Sequence, residues 1–247
     1  MRNIYKPYDS LADVYEFWST GDPAYVESFS FYVNFLKSIH SPIVELGIGT
    51  GRIALELSLS YQKKIIGIDE SSKMLEIVHH KYKKNKIENR IELICADMSE
   101  IFLPYKVNAI YLPFRTIGHI LERQKVEKLF QNVYDSLKVK GYFLFDHYIF
   151  CEEWAKTHDK KKIKMFAENG CLIEDYYEYD FVKQIMNCKI YMNDNPISHF
   201  MFCYHEPEYY IKLLEKVGFT IEKIYGEFDG SLFNTNSCNQ IYICRKE

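Results

Sequence analysis

A run of alternating glycines constrains this chain more than any other feature. The segment Val44-Glu45-Leu46-Gly47-Ile48-Gly49-Thr50-Gly51-Arg52 follows a short apolar strand and opens a helical pattern. Glycine adopts backbone conformations that other residues avoid, so a loop of this kind turns tightly and lets a ligand approach the main chain. We refer to residues 47–51 as the glycine loop, and its context predicts a nucleotide-binding turn.

The spacing of these glycines distinguishes between ligand classes. A dinucleotide fingerprint needs a small residue where this chain has Arg52. Glu45 stands two positions before the first glycine, where a carboxylate repels a pyrophosphate and suits an ammonium group. S-adenosylmethionine (SAM) carries an ammonium and a sulfonium and no phosphate. SAM is therefore the favoured ligand, and the alternatives are a nicotinamide dinucleotide or a turn that binds nothing.

Apolar strands and amphipathic helices alternate around the glycine loop. Strands that are apolar on both faces indicate a parallel sheet covered by helices on both sides. The predicted strands occupy residues 43–46, 65–68, 91–95, 107–112 and 142–145. The predicted helices occupy residues 10–18, 23–38, 52–60 and 126–137, with a further helix capped by Ser71 or Ser72.

After residue 150 the pattern changes to strands without helices between them. These strands are predicted at residues 173–181, 184–192 and 198–204, and Asn193-Asp194-Asn195-Pro196 marks a turn. We therefore expect an antiparallel meander inserted after the fifth parallel strand. A helix at 207–217 and strands at 219–225 and 240–244 follow, and a tight return would place the last strand antiparallel in the main sheet.

Composition argues against several classes of protein. A formal charge of −3 gives no broad basic face for nucleic acid, and the run at 81–86 is typical of a solvated helix end. The seven cysteines are scattered without a Cys-x-x-Cys pair, which disfavours a metal site and suits reduced thiols in the cytoplasm. No apolar run approaches the ~20 residues of a membrane span, and no secretory leader is visible. We expect a cytoplasmic monomer or homodimer without a nucleic-acid or membrane partner.

From about Tyr8 to its C-terminus, the chain resembles the class I SAM-dependent methyltransferases. Glu45 and the glycine loop match the motif that holds the methionine part of SAM, and Asp69 matches the acid that binds the ribose hydroxyls. Ala96-Asp97-Met98 matches the pair that reads the adenine edge. The resemblance implies SAM as cofactor and S-adenosyl-L-homocysteine (SAH) as product, bound by Tyr8, Tyr15, Glu45, Gly47, Gly49, Gly51, Arg52, Asp69, Glu70, Met74, Ala96, Asp97, Met98 and Leu112.

The same resemblance implies the fold class. We expect an α/β fold with a Rossmann-like seven-stranded methyltransferase sheet whose last strand is antiparallel, an N-terminal helical lid and an inserted antiparallel β meander. The lid would span residues 1–40, the SAM-binding core 41–149, the insertion 150–205, and the C-terminal helix and strands 206–247. Some of these residues could serve the fold alone: Asp69 could cap a helix, Met74 could belong to the core, and Tyr8 and Tyr15 could anchor a helix by packing.

Four side chains are candidates for the chemistry of methyl transfer. An oxygen or amine nucleophile can need a base, and His119, His147 and His205 lie on segments that follow predicted strands. Each histidine could instead satisfy buried polar groups. Arg115 could clamp a substrate carboxylate or phosphate, or it could cap a local loop.

The acceptor is predicted to be a small molecule. Tyr111-Leu112-Pro113-Phe114 lacks the Asn- or Asp-Pro-Pro-aromatic element of relatives that methylate nucleobases. Aromatic residues concentrate at 1–35 and 142–210, which suggests an enclosed aromatic pocket, although an accessory core or a dimer interface is an alternative. The arrangement, with Gly226–Ser231, is similar to N-methyltransferases of amino sugars or heterocycles in bacterial secondary metabolism. A non-catalytic SAM-binding regulatory module and a protein or RNA methyltransferase remain the competing hypotheses.

Overall fold

The computed structural model describes residues 6–247. The first five residues of the predicted lid, and the expectation that no secretory leader is present, lie outside the described residues. The strands are β1 (Ile43–Leu46), β2 (Ile65–Asp69), β3 (Ile91–Cys95), β4 (Val107–Leu112), β5 (Leu137–Tyr148), β6 (Lys162–Glu168), β7 (Cys171–Asp180), β8 (Ile185–Met192), β9 (Asn195–Cys203), β10 (Phe219–Tyr225) and β11 (Asn239–Lys246). The α-helices are α1 (Pro7–Leu11), α2 (Tyr15–Ser19), α3 (Ala24–Leu36), α4 (Arg52–Ser60), α5 (Ser72–Lys84), α6 (Arg123–Ser136), α7 (Glu152–His158) and α8 (Pro207–Val217).

The main sheet has seven strands in the order β3-β2-β1-β4-β5-β11-β10. Strands β1 to β5 pair in parallel, and β11 runs antiparallel to both β5 and β10. The prediction of a seven-stranded sheet with an antiparallel last strand is therefore confirmed. Because the five parallel strands share one direction, their carboxyl ends meet at one edge of the sheet, where ligands bind in folds of this kind.

Helices cover both faces of the main sheet. On one face α3, α4 and α5 bury Leu36, Leu57 and Val78 completely. On the other face α6 and α8 bury Phe130 and Tyr210 completely. Burial on both faces explains why the inner strands β1, β2 and β4 are largely apolar.

The insertion forms a separate antiparallel sheet in the order β6-β7-β8-β9. The antiparallel character of the predicted meander is confirmed, but the sheet has four strands where three were predicted, and α7 precedes it. Strand β6 lies at the sheet edge and carries Lys162, Lys164 and Glu168. The alternation that starts at Lys162 is interrupted after Lys164, where the pairing of β6 with β7 has a bulge, so only a short stretch shows the period of a strand.

The N-terminal segment packs with the inserted sheet. A 3₁₀ turn at Ala12–Val14 divides the predicted 10–18 helix into α1 and α2. Leu11 is fully buried in an apolar cluster with Ile173 and Phe200 of the inserted sheet, and Trp18 packs against the same cluster. The segment and the sheet together form a third apolar core.

None of the helices within residues 6–247 is both long enough and apolar enough to cross a membrane.

Gly21 provides a test of this third core. A methyl group at Gly21 would lie 2.3 Å from the carbonyl oxygen of Met165 on β6, so alanine must push the two backbones apart. We expect Gly21→Ala to speed amide hydrogen exchange in residues 15–22 and 162–168 while the main sheet keeps its protection. Gly170→Ala is the control. Alanine is strained at the Gly170 φ of +81°, but nothing lies within 4 Å of the added methyl. Unchanged exchange in Gly21→Ala would contradict the packing described here.

Candidate functional site

A cavity of about 1210 Å³ opens at the carboxyl ends of the parallel strands. Its wall includes residues that follow each of β1 to β5, together with residues of the N-terminal segment and of the inserted sheet. The main sheet thus supplies one side of a single cavity, and the third apolar core supplies the other side.

The glycine loop depends on left-handed backbone conformations. Gly47, Gly49 and Gly51 have φ values of 64°, 53° and 74°. A methyl at Gly47 would also lie 2.4 Å from the Cγ2 atom of Thr116. Gly47 and Gly49 line the cavity, whereas Gly51 caps α4 and lies under Val78. Two of the three glycines therefore face the cavity, and all three supply the left-handed conformations of the turn.

Asp69, at the end of β2, connects the glycine loop to the cavity. Its Oδ2 atom accepts a hydrogen bond from the Gly49 amide at 2.8 Å, and its Oδ1 atom accepts one from the Ser71 amide at 2.9 Å. Burial raises the pKa of this carboxyl to about 6. Asp69 and its neighbour Glu70 both line the cavity. The Asp69 carboxylate is therefore placed to accept hydrogen bonds from a ligand as well as to hold the loop.

The predicted adenine-binding residues line the same end of the cavity. Met74, Ala96, Asp97 and Met98 all contribute to its wall. The Oδ1 atom of Asp97 accepts hydrogen bonds from the amide and hydroxyl of Ser99 at 2.8 and 2.7 Å, so this acid also caps the 3₁₀ turn at Met98–Glu100. This capping fixes the position of Asp97 beside the cavity. The Oδ2 atom of Asp97 lies 3.7 Å from the Lys125 ammonium.

Tyr8, Tyr15 and His119 bring the N-terminal segment against the glycine loop. The hydroxyl of Tyr8 lies 2.8 Å from Nε2 of His119, and all three residues line the cavity. A methyl at Gly49 would lie 3.8 Å from the Tyr15 ring, so that ring packs directly over the loop. Burial lowers the pKa of His119 to about 4, which leaves its imidazole neutral at neutral pH.

Arg115 lines the cavity and is held by partners within the chain. Its guanidinium lies 2.5 Å from the carboxylate of Asp22 and 3.3 Å from the side-chain oxygen of Asn239. It also lies 3.4 Å from the centroid of the Tyr148 ring. These contacts favour local positioning over the predicted clamp on a substrate anion, because Asp22 already neutralises the charge.

Three predicted cofactor contacts do not reach the cavity wall. Glu45 is 2% exposed, accepts a hydrogen bond from the Tyr111 hydroxyl at 2.7 Å, and has its pKa raised to about 8 by burial. Arg52 donates to the carbonyl of Tyr25 and thus ties α4 to α3. Leu112 is fully buried in the core beneath the site. None of the three side chains lines the cavity, and their contact with SAM stays a prediction.

Two of the predicted catalytic histidines lie outside the cavity wall. His147 is fully buried, with Nε2 2.9 Å from the carbonyl of Cys203 and Nδ1 accepting from the Tyr148 amide at 2.7 Å. Both ring nitrogens are thus occupied, and burial lowers its pKa to about 3. The His205 ring packs 4.5 Å from the ring of Tyr209. Only His119 among the three candidates lines the cavity.

Two buried acids at the site, Asp146 and Asp175, are not predicted from the sequence. Asp146 accepts hydrogen bonds from the amides of Phe114 and Arg115, both at 2.9 Å. Asp175, on β7, is 1% exposed and lines the cavity from the inserted sheet. Asp175 shares a strand face with Ile173 and Tyr177, which are both buried. An acid among the inward-facing residues of a strand is the sequence signal that could have identified it.

His147 provides a test of its structural role. We expect His147→Ala to lower the free energy of unfolding by ~2–4 kcal/mol, because it removes a buried ring and leaves the Cys203 carbonyl without its partner. Denaturant unfolding followed by circular dichroism measures this change. His79→Ala, at an exposed position of α5, is the matched control. Equal stability of the two variants would contradict the structural role.

Comparison with known proteins finds similarity to methyltransferases in both sequence and fold. Residues 43–141 match the family model described as "Methyltransferase domain". The probable S-adenosylmethionine-dependent methyltransferase CRG1 of Saccharomyces cerevisiae is 29% identical over 66% of this chain and 50% of its own length. This chain therefore spans half the length of that relative.

Two solved structures have similar folds. The CcbJ methyltransferase of Streptomyces caelestis superposes with a TM-score of 0.84 at 17% identity, over 98% of this chain and 99% of that one. The SAM-bound CalS10 structure, an amino pentose methyltransferase from Micromonospora echinaspora, superposes with a TM-score of 0.68 at 14% identity, over 100% of both chains. The matched domain contains the glycine loop, Asp69 and Asp97, and the fold similarity extends over the whole chain. Residues 43–141 are therefore similar to the methyltransferase domain family, and the whole chain has the fold of the two methyltransferase structures.

Proposed function

We propose that this protein transfers the methyl group of SAM to a small-molecule acceptor by in-line displacement within the aromatic-lined cavity. One observation carries the proposal: the glycine loop, Asp69 and the rings of the third apolar core line one continuous cavity. Its volume of about 1210 Å³ exceeds the ~300–1,000 Å³ typical of a site for one drug-sized ligand, so a cofactor and a second molecule have room together.

The cofactor would lie along the carboxyl ends of β1 to β3. In this proposal Gly47 and Gly49 admit the methionine part to the main chain, Asp69 accepts hydrogen bonds from the ribose hydroxyls, and Met74 packs on the adenine. Glu45 acts indirectly, because it accepts hydrogen bonds from Tyr111 and from the Ala54 amide of α4 and so fixes the start of the helix. SAM supplies a methyl group whose carbon–sulfur bond breaks as the acceptor's lone pair attacks, which leaves SAH.

The acceptor would lie between the N-terminal segment and the inserted sheet. Aromatic rings from both elements line this part of the cavity, including Tyr8, Trp18, Tyr177 and Phe200. Residues 7–20 pack over the cavity through the third apolar core, which favours a small enclosed acceptor over a macromolecule. The amino pentose named for the CalS10 neighbour belongs to this class of acceptor.

Tyr8 and His119 form the pair best placed to remove the acceptor's proton. The Tyr8 hydroxyl is 2.8 Å from Nε2 of the neutral His119 imidazole, whose other nitrogen bonds to the Met201 backbone. Burial raises the pKa of Tyr8 well above its usual value, so the phenol keeps its proton and donates it to His119 as it receives one from the acceptor. Positioning of the two reactants supplies the rest of the catalysis.

The experiment that tests the proposed function is calorimetry with SAM and with NAD, followed by a screen for SAM-dependent release of SAH. We expect SAM to bind with one site per chain and NAD not to bind. Small amines and alcohols are then offered as acceptors. Binding of NAD in place of SAM would overturn the proposal. SAM binding without transfer to any small acceptor would favour the regulatory module.

Asp69 gives the first prediction about this site. Loss of charge-assisted hydrogen bonds, worth ~1.5–3 kcal/mol, should weaken SAM binding about tenfold to a hundredfold in Asp69→Asn. The pKa of about 6 predicts that wild-type affinity also falls as pH drops from 7.5 to 5.5, because the carboxylate becomes protonated. The variant's affinity should change little over that range. Calorimetry measures both effects, and the exposed Asp229→Asn variant is the control.

Glu45 gives a second prediction, which separates support of the loop from direct contact with the SAM ammonium. Its pKa of about 8 means that the side chain is largely protonated at neutral pH, so Glu45→Gln should change the SAM dissociation constant by less than about threefold. Glu45→Ala removes the acceptor for Tyr111 and should lower the unfolding free energy by ~2–3 kcal/mol. A tenfold loss of SAM affinity in Glu45→Gln at unchanged stability would restore the ammonium contact.

A further inference from the structure

We propose that Asp175 binds the positively charged nitrogen of an amine acceptor, in a subsite that it forms with Trp18, Tyr177 and Phe200. We refer to these four residues as the anionic subsite. This inference rests on the proposed function and names its acceptor class, since methyl transfer alone is equally compatible with alcohols and amines.

The carboxylate of Asp175 is fixed in orientation by neutral donors. Its Oδ1 atom accepts a hydrogen bond from the indole nitrogen of Trp18 at 2.7 Å, and its Oδ2 atom accepts one from the Tyr177 hydroxyl at 2.8 Å. The Cys188 thiol donates to the same carboxylate. A carboxylate has about four acceptor positions, so one remains for a further donor. The residue is 1% exposed and still lines the cavity, where a ligand ammonium is a donor of the required kind.

The charge of Asp175 has no ion-pair partner in the described part of the chain. No lysine, arginine or histidine in residues 6–247 forms an ion pair with it. Asp22, the other acid whose charge acts on it, is already paired with Arg115 at 2.5 Å and accepts from the Tyr148 hydroxyl at 2.6 Å. This part of the cavity therefore holds one unpaired negative charge.

Burying an unpaired charge costs free energy, which a bound cation offsets. Desolvation raises the pKa of Asp175 to about 6, so the group is still mainly ionised at neutral pH. A hydrophobic residue at the same position of β7 would avoid this cost. A bound cation would pair with the carboxylate out of water, where such an interaction is strong.

Aromatic rings complete the subsite. The Trp18 ring stands edge-on to Phe200 at 6.1 Å, and Tyr8 stacks on the Phe200 ring at 5.9 Å between centroids. Ring faces attract cations, and the attraction grows when water is excluded. An acid combined with several rings selects a cationic nitrogen over a neutral hydroxyl of the same size.

The anionic subsite lies close to the cofactor end of the cavity. Tyr15 packs over Gly49, and its ring centroid is 5.7 Å from that of Trp18, which in turn bonds to Asp175. A single pair of adjacent rings thus connects the glycine loop to the carboxylate. A nitrogen held by Asp175 would therefore lie on the cofactor side of the cavity. An ammonium has no lone pair, so in this proposal it first passes one proton to the Tyr8–His119 pair, and the neutral amine then attacks the methyl carbon of SAM.

The test measures binding of probes that differ only in charge. Propylamine, cyclohexylamine and phenethylamine, each paired with the alcohol of the same carbon skeleton, are titrated into the protein saturated with SAH. The chain has two tryptophans, Trp18 and Trp154, and both line the cavity. The Trp154→Phe background leaves Trp18 as the only tryptophan reporter. We expect at least one amine to bind ten or more times more tightly than its alcohol.

The decisive variant is Asp175→Asn, which keeps the shape and removes the charge. We expect it to abolish the preference for the amine while the dissociation constant of SAM changes less than twofold. Glu178→Gln is the control, because it makes the same change of charge on the opposite face of β7. Should Asp175→Asn unfold, Tyr177→Phe retains the carboxylate with one donor fewer and should keep the preference.

Several results would overturn the inference. These are alcohols that bind as tightly as their amines, no binding by any amine, a preference that survives Asp175→Asn, or its loss in Tyr177→Phe with the fold intact. If any of them occurs while SAM still binds and SAH is still released with a neutral acceptor, the amine subsite fails and the proposed function stands. Absence of SAM binding would mean that the proposed function itself fails.

Discussion

Carboxylates at the carboxyl ends of parallel strands hold the left-handed loops on which the whole site depends. Asp69 on β2 fixes Gly49, and Asp146 on β5 fixes Phe114 and Arg115, whose φ values are 56° and 60°. Consecutive residues in such conformations would leave buried amides without partners, and a carboxylate satisfies them. The Tyr32 hydroxyl also donates to Asp146 at 2.6 Å and thus connects α3 to the end of β5. These hydrogen bonds fix the backbone of Gly49, Phe114 and Arg115, which line the cavity.

The second half of the cavity depends on contacts between distant parts of the chain. The bond from Trp18 to Asp175 joins residues 157 positions apart, and the Tyr8 contact with His119 spans 111 positions. The N-terminal segment is therefore a fixed wall of the cavity as well as a cover over the glycine loop. In the proposed function, the cofactor surface and the acceptor surface meet at Tyr8, Tyr15 and Trp18.

Much of the main sheet was predictable because its strands are buried on both faces and its glycine spacing is restrictive. The edge strand β6 and the mostly exposed helix α7 are not predicted from the sequence, since a bulge interrupts the alternation of β6 and α7 buries only Ala155. At the site, the sequence prediction names His147 and gives no role to its neighbour Asp146. Alternation on β5 puts the two on opposite faces, and only the fold shows that Asp146 faces the loop amides. Asp175 was missed because its partners are remote in sequence.

The most direct test of the account is a crystal structure with SAH and an amine probe bound together. The account predicts SAH along Gly47, Gly49 and Asp69, with the probe nitrogen within hydrogen-bond distance of the Asp175 carboxylate and facing the sulfur. Glu45 should remain bonded to Tyr111. An SAH molecule bound elsewhere, or a probe nitrogen held away from Asp175, would contradict the division of one cavity into a cofactor end and an acceptor end.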